Sequence, residues 1–277
     1  MSLEARLQRR VQRYGWDRAA ADYEALWQAQ LAPAQHRLLA CAALAPGERV
    51  LDVACGTGLV SLAAARAVLP QGSVLGVDLS AAMVEAVTAR ARAQGLSNVR
   101  FARMDAERLD LPDASIDVAL CALGLMYVPE PEQALRELRR VLRPGGRLAL
   151  AVWGERARCG WAPLFDIVDA EVRSEVCPLF FHLGRGDALA RLCVEAGFED
   201  LESHRISATL CYADAEEACR AAFVGGPAAL AWSRFDAAVR ARVCARYLDA
   251  IRPWRHGPGY RIPGEFVIVA GAATIRV

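Results

Sequence analysis

Val50-Leu51-Asp52-Val53-Ala54-Cys55-Gly56-Thr57-Gly58 decides the fold. A short apolar run passes into a turn with two glycines, and residues 59–69 continue directly as a helical pattern. Glycine lets the backbone approach a ligand closely, and the first turn of a helix offers unpaired N–H groups to an acidic group. The third glycine of a dinucleotide fingerprint is absent, because Ser61 stands in its place. Asp52, just ahead of the turn, is wrong for a loop that hugs a pyrophosphate. A carboxylate there suits a ligand with a cationic or hydroxyl-rich end.

Outward from this stretch the chain alternates strand and helix. Residues 73–77 read as a second strand that ends in Gly76-Val77-Asp78-Leu79-Ser80. Asp78 stands about 20 residues past the glycine turn, where an acid accepts both hydroxyls of a ribose. Its other reading is a helix cap, a job for which Ser80 is better placed. Residues 99–102 form a third strand followed by Met104-Asp105-Ala106, whose acid either meets a base edge or is a solvated loop residue. Residues 116–120 and 147–153 are strands four and five, with a helix at 132–142 stopped by Pro144-Gly145-Gly146. Strands alternating with helices of this length predict an α/β fold, a mostly parallel sheet with helices on both faces. Residues 1–45 read as helices. After Trp153 the rhythm breaks into helical insertions at about 154–185 and 212–262, set before a sixth and a seventh strand.

Composition narrows the function. A net charge of +1 argues against sequence-independent nucleic-acid binding, which draws on a basic surface. No apolar run reaches the roughly 18–20 residues that cross a bilayer, so stable membrane insertion is not expected. All 33 basic residues are Arg, which excludes a Schiff base or a P-loop lysine. The nine cysteines show no C-x-x-C pair and the four histidines never fall at metal-ligand spacing. Free thiols, a cytoplasmic setting and no metal site are the expectation.

Together the motifs resemble the class I S-adenosylmethionine-dependent methyltransferases, in the branch that includes the ubiquinone and menaquinone C-methyltransferases and many small-molecule methyltransferases. The likeness runs from Pro46 to Trp153. It includes Leu111-Pro112-Asp113-Ala114-Ser115-Ile116-Asp117-Val118 and the more specific Glu137-Leu138-Arg139-Arg140-Val141-Leu142-Arg143-Pro144-Gly145-Gly146-Arg147-Leu148. A fainter likeness covers Trp16-Asp17-Arg18-Ala19-Ala20-Ala21-Asp22-Tyr23-Glu24, and Glu195-Ala196-Gly197-Phe198-Glu199 matches the end of the helix before strand six.

The resemblance implies a Rossmann-like seven-stranded sheet over residues 46–277, an N-terminal helical segment over 1–45, and S-adenosyl-L-methionine as cofactor. By the same resemblance Asp52, Gly56 and Gly58 hold the methionine moiety and Asp78 the ribose. Leu79 and Met83 pack on the adenine, Asp105 and Ala106 meet its edge, and Tyr23 lies near the cofactor. Cys121 and Ala122 offer backbone carbonyls to the amino group. Many relatives carry histidine where this chain has Leu125-Met126-Tyr127, so a histidine mechanism at that spot is excluded.

Aromatic residues concentrate after Trp153, including Trp161, Phe165, Phe180, Phe181, Phe223 and Trp232. As a set they favour a small, partly apolar acceptor under a helical lid, although any one of them alone reads more readily as lid core. If the acceptor must lose a proton, Tyr127 and His182 are the candidate catalytic groups, with His256 behind them. Two other readings share the fold: a non-catalytic cofactor-binding or scaffold protein, and a nicotinamide-dependent oxidoreductase, which Ser61 and Asp52 disfavour.

Overall fold

The structure, a computed structural model, describes residues 3–172, 177 and 179–274. Residues 173–176 and 178 of the expected first insertion lie outside the described residues.

Five strands run parallel: β1 (Arg49–Val53), β2 (Ser73–Asp78), β3 (Val99–Arg103), β4 (Ile116–Ala122) and β5 (Leu142–Trp153). Every residue of β1 after Arg49 is buried, as a strand covered on both faces requires. β6 (Phe198–Tyr212) and β8 (Gly259–Ala273) complete the sheet antiparallel, in the order β3-β2-β1-β4-β5-β8-β6. A two-residue β7 (Arg255–His256) folds back on the start of β8. The mostly parallel Rossmann-like sheet is therefore present with seven strands on its main path and one short addition.

Two boundaries differ from the sequence reading. Residues 259–262, assigned above to a helical insertion, begin β8. There Tyr260 and Ile262 are buried while Arg261 is exposed, a period of two that the intervening Pro263 and Gly264 disguise. Pro144-Gly145-Gly146 is not a turn between elements but a bulge within β5. Leu142 pairs with Ile116 and Arg147 with Val118, so residues 143–146 stand opposite Asp117 alone.

The crossover helices are α2 (Ser61–Ala67), α3 (Ala81–Ala93) and α4 (Pro131–Val141). Ser80 caps α3 by accepting the Met83 N–H at 3.1 Å. Ala134, Leu135, Leu138 and Val141 form the buried stripe of α4. After β5 come α5 (Pro163–Val172) and α6 (Ala188–Glu195), and between β6 and β7 come α7 (Ala215–Phe223), α8 (Ala229–Arg234) and α9 (Ala237–Ala250). Among the described residues no helix is long and apolar enough to cross a membrane.

The N-terminal region is one helix of 40 residues, α1 (Leu3–Ala42), which continues through Pro33. Leu26, Trp27, Gln30, Leu31, Ala34, Leu38 and Ala42 are buried, a spacing of three and four that lays one face on the sheet. Gln30 docks it: its Nε2 donates to the Cys211 carbonyl at 2.6 Å and its Oε1 accepts the Cys211 N–H at 2.9 Å. That side-chain amide covers backbone of the edge strand β6, which otherwise has unpaired groups to offer.

Candidate active site

The strand order reverses between β1 and β4, and a cleft of about 760 Å³ opens beside their C-terminal ends. That is where open α/β sheets take ligands. The cleft is lined by Gly56 from the glycine turn, by Asp78, Leu79 and Met83, by Met104, Asp105 and Ala106, and by Ala122 and Tyr127. Arg9, Gln12, Trp16 and Tyr23 of α1 form its other wall.

Local backbone explains the turn. Ala54, Gly56 and Gly58 all have positive φ, at 54°, 53° and 83°. At Gly58 a side chain is also barred by space, since a Cβ would come within 2.2 Å of Val87 Cγ2. Gly58 thus lets α3 pack against the turn and does not line the cleft, whereas Gly56 does. Asp78 ties the turn down by accepting the Gly56 N–H at 2.9 Å and the Ser80 N–H at 2.9 Å. Burial raises the Asp78 carboxyl above its ordinary range, and the two N–H groups work against that rise.

A smaller lobe of about 290 Å³ shares Tyr23, Ala54, Gly56 and Ala122 with the cleft and adds Gln35, Asp52 and Thr57. Asp52 is fully buried. Its Oδ2 accepts the Ser61 hydroxyl at 2.5 Å, while its Oδ1 has no partner among the described residues. Desolvation pushes this carboxyl up to about 7, against the pull of the Ser61 hydrogen bond. The Thr57 hydroxyl is likewise buried without a partner. Two orphaned polar atoms in one small lobe mark a place for a polar ligand end, because buried polar groups are otherwise paired. The missing third glycine acquires a reason here, since the Ser61 hydroxyl holds Asp52.

A third lobe, about 330 Å³, shares Trp16, Tyr23, Leu123 and Tyr127 with the cleft. Its remaining wall is Trp27, Leu31, Met126, Trp153, Trp161, Phe180, Gly226 and Pro227. The rings meet edge to face, with Trp16 at 5.0 Å from Tyr127, Tyr127 at 5.3 Å from Phe180, and Trp153 at 4.7 Å from Trp161. Tyr23 borders all three spaces, and burial holds its hydroxyl, like that of Tyr127, far above the ordinary phenol range.

The structure thus brings together Tyr23, Asp52, Gly56, Asp78, Leu79, Met83, Asp105, Ala106, Ala122 and Tyr127. Cys121 is buried behind Ala122, its thiol pushed up to about 12 by burial, and its side chain does not line these spaces. His182 is exposed and lines none of them; Phe180 and Phe181 on the same turn point inward, so His182 points out. His256 is exposed on β7. Among the described residues no cluster of His, Cys, Asp and Glu is placed to hold a metal.

Several contributors have no motif in the sequence. Arg9 Nε meets Asp105 Oδ2 at 2.7 Å and its guanidinium also pairs with Glu107, clasping α1 to the loop after β3. Asp105 also accepts the Glu107 N–H at 3.0 Å, and desolvation raises its carboxyl while Arg9 lowers it. Asp17 accepts the Ser80 hydroxyl at 2.6 Å and the Ala82 N–H at 3.3 Å, fixing α1 to the positive end of α3. Only the faint Trp16-Asp17 likeness pointed in this direction.

Comparison with known proteins agrees with this geometry. A family described as a methyltransferase domain matches residues 50–146. An uncharacterized 37.1 kDa protein in transposon Tn4556 of Streptomyces fradiae is 43% identical over 55% of this chain and 44% of its own length. The demethylmenaquinone methyltransferase of Geobacillus kaustophilus is 34% identical over 56% of this chain and 73% of its own. The chain spans about half the length of the first curated relatives it matches. Among solved structures, the [4+2]-cyclase SpnF is 25% identical with a TM-score of 0.61, over 91% of this chain and 84% of that one.

Proposed function

We propose, on the premise that the chain belongs to the class I S-adenosylmethionine-dependent methyltransferases, that it transfers the methyl group of S-adenosyl-L-methionine to a small, partly apolar acceptor. One observation carries this reading: a lobe with two orphaned polar atoms, Asp52 Oδ1 and Thr57 Oγ1, and a lobe walled by aromatic rings both share walls with the cleft that holds Asp78. The bound cofactor supplies an already activated methyl group on a sulfonium.

The chain's own residues divide the remaining work. Asp52 and Thr57 take the amino-acid end, with Asp52 ionised against its ammonium, and the Ala122 and Cys121 carbonyls serve the same end. Asp78 accepts the ribose hydroxyls while its N–H contacts keep the turn in place. Leu79 and Met83 pack on the adenine, with Asp105 and Ala106 at its edge. Trp16, Tyr23 and Tyr127 wall the junction where cofactor and acceptor meet and exclude water, which favours a reaction whose positive charge disperses. Alignment of donor and acceptor does much of the rest. A tyrosine hydroxyl held far above the usual range is a poor base, so Tyr127 acts as a neutral wall and His182 takes no part.

The aromatic lobe supports a quinone-like, lipid or secondary-metabolite acceptor over a sugar or a nucleic acid. A cytoplasmic location fits nine free cysteines. The test is direct. S-adenosylmethionine and S-adenosylhomocysteine should raise the melting temperature while NAD does not, and label from the donor methyl should appear in an added acceptor. Stabilisation by NAD alone would sink the reading. Likeness to a protein named for a [4+2] cyclisation favours a second reading, a cofactor-binding protein whose methyl stays in place; binding with no label transfer to any acceptor would select it.

A further inference from the structure

We infer that the aromatic lobe recognises one uncharged oxygen on its apolar ligand through two indole N–H groups, those of Trp27 and Trp161. Trp27 is 6% exposed and Trp161 2%, and the Nε1 of each is buried with no hydrogen-bond partner among the described residues. Both line the same lobe, with ring centroids 6.2 Å apart. A buried donor left unpaired is uncommon, and two in one wall point to a ligand that carries the missing acceptor.

The rest of the wall fixes the chemistry of that acceptor. No Asp, Glu, Arg or His lines the lobe among the described residues, so a carboxylate or phosphate would enter without a counter-ion and lose its water. A carbonyl, ether or phenol oxygen carries no such penalty. Gly226 lies beside one donor: a Cβ there would touch Trp27 Nε1 at 3.6 Å and its Cζ2 at 3.8 Å, on the wall of the same lobe.

Position adds a second element. Trp16, Tyr23, Leu123 and Tyr127 border both this lobe and the cofactor cleft, whereas Trp27 and Trp161 border this lobe alone. The indoles therefore hold the end of the ligand that points away from the cofactor. Given the methyl-transfer reading, on which this step rests, the anchored oxygen is not the atom methylated. The acceptor is an apolar molecule with a neutral oxygen at one end and its nucleophilic atom at the other.

The test uses 1-tetralone and tetralin, which share size and shape and differ in one carbonyl, titrated by calorimetry into the protein with S-adenosylhomocysteine. The wild type should bind tetralone at least about tenfold tighter than tetralin. Trp27→Phe and Trp161→Phe should each cut that preference about threefold to tenfold, the range for one neutral hydrogen bond. Gly226→Ala should cut it similarly with both indoles intact, and it carries the test should a tryptophan variant fail to fold. Equal affinity for the two probes in the wild type, binding of neither, or a preference that survives in the Trp27→Phe/Trp161→Phe double variant would overturn the inference. The last result would mean that the N–H groups face neighbouring rings instead. Affinity for S-adenosylhomocysteine on the same samples reads the cofactor half separately. Its absence beside an intact tetralone preference would remove the methyl-transfer reading and leave the anchor standing.

Discussion

The segment from β1 to β5 and the cover formed by α1 and the insertions build their surfaces by opposite means. In the first, the polar atoms of the cleft sit at strand ends and in the turns that follow, held within one or two adjoining strand–turn–helix units: Asp78 by Ser80 two residues on and by Gly56 of the preceding unit, Asp52 by Ser61. In the cover, the contacts are between distant segments. Trp27 meets Trp153 and Trp161, and Gln30 reaches a residue 181 positions away. The first arrangement suits a ligand that never changes, because a local motif reproduces it wherever the strand and turn recur. The second can be altered by repacking without touching the cofactor, which is what acceptor specificity demands.

The largest expected effect tests the local half. Asp78→Ala removes a half-buried carboxylate that organises the turn and that we assign to the ribose, and should weaken S-adenosylhomocysteine binding about a hundredfold or more, at roughly 1.5–3 kcal/mol per charged hydrogen bond. Asp105→Ala, whose carboxylate Arg9 and Glu107 already engage, should lose about tenfold or less. Calorimetry giving equal losses would erase the distinction between a fixed strand-end group and a clasp.

Next comes the titration of Asp52. Its folded-state value of about 7 lies above the ordinary value near 3.9, so the fold favours the neutral acid. A raised value contributes stability that is fully present below about pH 4 and is lost as pH rises through about 7. Asp52→Asn should therefore unfold at higher denaturant concentration than the wild type at pH 8, by on the order of 2–4 kcal/mol, with the gap shrinking toward pH 4. On the proposed role of Asp52, in which its carboxylate meets the cofactor's ammonium, S-adenosylhomocysteine affinity of the wild type should rise from pH 5.5 to 7.5 and binding should release a proton. Asp52→Asn should flatten that slope; a slope that persists in the variant would move the titration elsewhere.

Smaller effects are expected of the catalytic candidates. Tyr127→Phe should lower turnover less than about tenfold, and His182→Ala less than about twofold. A hundredfold loss in either, the size of a missing general base, would make the cover chemical as well as spatial. The smallest signal is dynamic. Added S-adenosylhomocysteine should slow hydrogen exchange in residues 5–30 of α1 and in 224–228, because both border the same spaces. Protection confined to 54–60 would leave the cover a static wall.

The same contrast explains what could be read from the sequence. The places of Asp52 and Asp78 at strand ends beside the cleft, and the cap at Ser80, were legible because strand, turn and helix follow within a dozen residues. Arg9, Gln35 and the docking amide of Gln30 were not, because periodicity shows that α1 has an apolar face but not where that face lies. His182 was misplaced for a related reason: Phe180, Phe181 and Leu183 around it are buried, and an apolar run does not show that the one polar residue within it faces out. The start of β8 was hidden by Pro263 and Gly264, which read as loop although the pairing with β6 runs through them.

The reach of Gln30 to Cys211 also sets a schedule for synthesis. The apolar face of α1 leaves the ribosome well before β5, β6 and β8, which with β4 are the strands it packs against. At roughly 5–20 residues per second, Trp27 and Leu31 wait on the order of ten to forty seconds for those strands. Through that interval an amphipathic helix with a bare aromatic stripe is a ready client for a chaperone, while the β1–β4 layers condense on their own contacts. Mutations that weaken α1 docking should accordingly lower the yield of folded protein more than they lower the activity of the molecules that do fold.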